Sequence, residues 1–144
     1  VGASGWQYVV PYDPRVRAVV LELQQKVFDE HDYYWPDQEH GWPATMRELF
    51  AQESFKESGT HSILDIIEVI RPDAPDEWGT LRHLDAEETA RFFGTPTPSV
   101  AEFESGVARL RQSGSPGGRW GGYAVELYED GVRSHFGIWG ISGD

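Results

Sequence analysis

From Trp6 to Tyr12, Tyr8 and Val10 alternate with Gln7 and Val9, which predicts a first strand. Asp13-Pro14 stops it and opens a helix, with Asp13 as N-cap and Pro14 in the first turn. Val16, Val19, Val20, Leu23 and Val27 follow at helical spacing, and this helix ends near Asp29. No clean period runs through the next stretch, which extends to about Pro43. Aperiodic loops of that length are uncommon in compact domains and often carry function. Thr45 and Glu48 then form a capping-box pattern for a short helix bearing Met46, Leu49 and Phe50.

His61 to Ile70, HSILDIIEVI, is β-branched and apolar on both parities, which predicts a central strand. Pro72 and Pro75 place a loop from Arg71 to Gly79. Asp85 and Glu88 mark the start of a helix that stops at Gly94. Ser99 and Glu102 begin another, with Val100, Phe103, Val107 and Leu110 on one face. Residues 113–118, SGSPGG, read as a flexible link. Tyr123–Tyr128 and Val132–Ile141 flank Asp130-Gly131, a strong hairpin signal. The expected order is β-α-α-β-α-α-β-β. It describes one α+β domain over residues 1–144, with a mixed or antiparallel sheet of about four strands and helices mainly on one face.

Composition adds limits. A 144-residue chain can bury about 70% of its unfolded surface, enough for a real core. Hydrophobic residues at 39% and charged residues at 25% fit a folded protein. The net charge of -12 repels nucleic acid and anionic lipid and favours a basic protein partner or high solubility. The absence of cysteine removes disulfides, thiolate metal sites and cysteine nucleophiles. No signal peptide and no membrane-length apolar run is visible, so the expected location is cytoplasmic. Ten Arg against two Lys suggest a bacterial genome rich in G and C.

Candidate chemistry concentrates in residues 28–40, FDEHDYYWPDQEH, which hold no Lys or Arg. Rigid rings supply contact area and carboxylates steer encounter, so Asp32, Tyr33, Tyr34, Trp35, Asp37 and Glu39 are the expected partner-binding set. His31, Asp32, Glu39 and His40 match no metal signature, and no metal or cofactor is expected. Asp65, His61 and His135 are the candidates for acid–base work. Asp65, inside an apolar strand, needs a partner such as Arg119, Arg133 or a tyrosine hydroxyl. The serine and threonine of residues 58–62 lack a nucleophile motif, and the glycines of residues 115–122 precede a strand where a phosphate loop needs a helix. Trp139 and Trp120 are expected to share an aromatic floor across the hairpin. Two functions follow: an inhibitor or immunity-type protein neutralising a basic partner, or a small enzyme or ligand-binding protein using a His/Asp pair. The oligomeric state is not readable from the sequence.

Overall fold

A computed structural model of the chain describes residues 4–114 and 120–142. The flexible link assigned to residues 113–118 lies mostly outside the described residues, as does Arg119. The strands are β1 (Gly5–Pro11), β2 (Glu68–Ile70), β3 (Thr80–His83), β4 (Gly121–Glu129) and β5 (Val132–Ile141). The α-helices are α1 (Val16–Asp29), α2 (Met46–Phe50), α3 (Glu53–Ser58), α4 (Ala86–Phe93) and α5 (Val100–Ser113).

One sheet runs in the order β1-β5-β4-β3-β2. Its first three strands are antiparallel neighbours, whereas β4, β3 and β2 run parallel. The class is α+β with a mixed sheet, but there are five strands instead of four. Two departures from the sequence reading produce this. His61–Ile70 is not a central strand: its first half turns through a 3-10 segment at Ile63–Asp65, and only Glu68–Ile70 joins the sheet, at its edge. His61 adopts φ 54°, which breaks the extended run, and the Ser62 side chain accepts from the Leu64 N–H to start the turn. The missing inner strand is β3, TLRH, too short and too polar to show a period.

Helices cover both faces, not mainly one. Alternate residues of β5 separate the two layers. Phe136 and Ile138 join Ala124, Leu81 and Trp6 in a core shared with α1, α2, α3 and the 63–66 turn. Trp139 joins Tyr123, Val125 and Leu127 in a second core under α4 and α5. Glycines set the depth of both. A Cβ on Gly137 would lie 2.5 Å from the Phe103 ring, and one on Gly140 would lie 2.2 Å from the Trp6 indole. The rings therefore rest directly on strand backbone.

Local signals behave as their chemistry requires. Asp85 and Ser99 accept from the Glu88 and Glu102 N–H groups, and Ser99 with Glu102 completes a reciprocal box. Gly94 and Gly114 close α4 and α5 in left-handed geometry. Asp130 and Gly131 both take positive φ, as a two-residue hairpin turn requires. Asp13 does not cap α1: its carboxylate instead binds the Arg15 N–H and guanidinium, and the helix starts at Val16. No helix of the described residues is long and apolar enough to cross a membrane.

Candidate functional site

The acidic aromatic segment leaves α1 at Asp29 and stays irregular apart from a 3-10 turn at Gln38–His40. His31 at φ 55° reverses the chain, and the Asp32 N–H closes onto the Val27 carbonyl at 3.0 Å. The next three residues then separate. Tyr33 is only 8% exposed and stacks on Phe28, with Trp42 edge-on at 5.1 Å. Trp35 is 4% exposed and donates its indole N–H to the Gly41 carbonyl at 3.1 Å. Between them Tyr34 is 47% exposed, held by its N–H on the Thr60 carbonyl at 2.8 Å and by edge contact with His61.

This corrects the expected contact set. Tyr33 and Trp35 cannot meet a partner, because burying their rings in the first core outweighs leaving them in water. The set that remains on the surface is Asp32, Tyr34, Asp37 and Glu39. Asp37 pairs with His40 at 2.7 Å, whereas Asp32 and Glu39 have no ion-pair partner among the described residues. Five carboxylates, from Asp29, Glu30, Asp32, Asp37 and Glu39, are thus exposed in the segment that carries the half-exposed Tyr34 ring.

Asp65 sits beneath the neighbouring turn and is fully buried. Its Oδ1 accepts from the Thr60 N–H at 2.6 Å and the Thr60 hydroxyl at 2.9 Å, and its Oδ2 accepts from the Ser142 hydroxyl. Burial pushes its pKa above the ordinary 3.8, against the pull of those donors. Among the described residues the partners are hydroxyls and a backbone amide, not Arg133 or a tyrosine; Arg133 is engaged with Glu126 at 3.1 Å, and Arg119 lies outside the described residues. Ser142 also bonds the Ser4 carbonyl, so Asp65 ties the turn to the ends of β1 and β5. Gln24 of α1 adds bonds to the Ile63 and Ile66 carbonyls from the other side.

His61 faces Ser4, whose hydroxyl meets its Nδ1, and makes no hydrogen bond to Asp65. His135 stands apart: seven residues separate it from Ser142 along β5, about 23 Å of strand. The three acid–base candidates therefore do not converge. Trp139 and Trp120 are not partners either. Trp139 packs with Tyr123, Phe93 and Phe103, whereas Trp120 lies 5.4 Å from Trp78 at the opposite end of β4 from the turn. Among the described residues no group of three His, Asp or Glu side chains could hold a metal ion.

One charged cluster escaped the sequence reading. Arg82 of β3 forks onto Glu88 and also binds Asp76 at 2.7 Å and the Pro72 carbonyl. Tyr123 donates to the second Asp76 oxygen at 2.8 Å and lies under the guanidinium. Every strong donor is paired, so the cluster pins the 72–76 loop to the sheet. Its one sequence signal was an arginine in an otherwise unassigned stretch.

No protein-family model matches this chain, and neither a curated protein nor a solved structure matches it.

Proposed function

We propose that this chain is a small acidic protein-binding module, of inhibitor or immunity type, that neutralises a basic protein in the bacterial cytoplasm. Asp32, Tyr34, Asp37 and Glu39 are the contact residues. The observation that carries this reading is the alternation at residues 33–35. Tyr33 and Trp35 root the loop in the core while Tyr34 stays exposed among carboxylates. A loop anchored on both sides of its contact ring loses little entropy on binding. The net charge of -12 supplies long-range attraction for a basic partner and repels nucleic acid and membrane surfaces. The alternative, a pocket using His61 and Asp65, has the burial-raised pKa of Asp65 in its favour. Against it, both Asp65 oxygens are already taken by donors and His61 is engaged by Ser4.

The test is retention of basic proteins from host lysate on the immobilised chain at low and moderate salt. One basic protein should be retained, more tightly at low salt, and lost with Asp32→Lys and Asp37→Lys. Retention unchanged by both substitutions and by salt would refute the reading.

A further inference from the structure

We propose that β1 is a dimerisation strand, through which two copies of this chain join antiparallel into one continuous ten-stranded sheet (twice the five strands of one chain). β1 is an edge strand whose inner side is fully used. Ser142 donates to the Ser4 carbonyl at 2.9 Å and Tyr12 to the Ser134 carbonyl at 3.1 Å, and the register between is unbroken from Gly5↔Ile141 to Pro11↔His135. Ser4, Trp6, Tyr8, Val10 and Tyr12 therefore turn their backbone groups to β5. Gly5, Gln7 and Val9 turn theirs outward, and those groups have no hydrogen-bond partner among the described residues.

Edge strands are ordinarily guarded by charge, by bulges or by being short. β2, at the other edge, has only three residues, and Arg17 reaches its Val69 carbonyl. β1 has seven residues and no bulge against β5. Residues 1–12 are also the longest stretch of the sequence without Asp, Glu, Lys or Arg. Arg111 lies against Gly5 and grips the Trp6 carbonyl and the Gln7 side chain, which fixes Gln7 while leaving its outward N–H and C=O open.

The occupant that fits is a second copy. A strand without carboxylates or cations offers a charged strand nothing to pair with, whereas a second β1 is equally uncharged and presents the same outward N–H and C=O groups. The β1 sequence is self-complementary about Gln7. Gln7 opposite the partner's Gln7 exchanges two hydrogen bonds, as does each flanking pair of Gly5 with the partner's Val9. Trp6 then falls opposite the partner's Tyr8 at a non-hydrogen-bonded position, but its ring is buried inward over Gly122 and Gly140, so the backbone bonds at Gly5, Gln7 and Val9 carry the pairing. Because two acidic chains repel, this association strengthens as salt rises, opposite in sign to capture of a basic partner.

Sedimentation equilibrium of the whole chain over a wide concentration range, at low and high salt, tests this. The expected result is a monomer–dimer equilibrium that tightens with salt. Gln7→Pro removes one outward N–H that the chain's own sheet does not use, and prolines are tolerated at such edge positions. It should weaken the dimer by about tenfold or more. Gln7→Lys brings two ammonium groups together across the axis and should weaken it similarly, most at low salt. Circular dichroism checks that each variant is folded, and if Gln7→Pro unfolds, Gln7→Lys decides. A monomer at every concentration, or a dimer indifferent to the folded variants, would overturn the proposal.

Discussion

Replacing Trp35 by Ala removes a side chain that is 4% exposed and packed in the first core, together with the indole bond to the Gly41 carbonyl. Large-to-small changes of a buried Trp cost about 3–5 kcal/mol, the sum of lost transfer energy and the cavity left behind. With a urea dependence of about 2 kcal/mol per molar, the unfolding midpoint should fall by about 1.5–2.5 M. Tyr34, one residue away and 47% exposed, should behave differently: Tyr34→Ala costs under about 1 kcal/mol, lost mainly from its edge contact with His61. The assay is urea unfolding followed by far-UV circular dichroism on both variants, since removing a Trp alters fluorescence. Trp35→Ala unfolding at the wild-type midpoint, or both variants shifting equally, would refute the division of this segment into root and contact.

Three further outcomes follow from buried groups. Tyr33 has a buried hydroxyl with no hydrogen-bond partner among the described residues, so Tyr33→Phe should raise stability by about 1 kcal/mol; a loss of that size in thermal melts would show that the hydroxyl is satisfied. Asp65 has a folded pKa above 3.8, so the folded chain holds a proton that the unfolded chain has released, and stability falls as pH rises through that window. Asp65→Asn should therefore gain on wild type as pH rises from below 3.8 to neutral, whereas Asp65→Ala strands the Thr60 and Ser142 donors and costs about 3 kcal/mol; a wild-type advantage over Asn that grows with pH in urea titrations would contradict this. Gly137→Ala places a Cβ 2.5 Å from the Phe103 ring and should cost about 1–3 kcal/mol, and adding Phe103→Leu should recover part of it; strictly additive losses in a double-mutant cycle would count against the contact.

Elements specified by neighbouring residues were legible in the sequence. The caps at Thr45, Asp85 and Ser99, the stop at Gly94 and the Asp130-Gly131 turn each depend on a side chain or φ within a few residues. Residues 61–70 misled because apolarity on both parities records burial without recording what does the burying. Here the 3-10 turn is buried by α1, through Gln24, and by Ser142 from the far end of the chain. Ser62 followed three places later by Asp65 was the available sign of a turn. β3 was hidden because its Arg82 draws its stability from Asp76 and Glu88 on flanking segments. Within the candidate site, the carboxylates were visible as composition, but the inward course of Tyr33 and Trp35 was not. An aperiodic loop has no face from which orientation can be read, so only the packing against Phe28 and Trp42 decides it.

The pairing of the first strand with the last has a consequence on the ribosome. Among the described residues the one strand that pairs with β1 is β5, and 121 positions separate Pro11 from Val132. At typical synthesis speeds of about 5–20 residues per second, β1 waits about 6–24 s for its neighbour. Through that interval Trp6, Tyr8 and Val10 have no sheet to lie in, and α1 lacks the floor supplied by Phe136 and Ile138. The nascent chain should therefore keep these apolar residues exposed until the β4–β5 hairpin has cleared the exit tunnel.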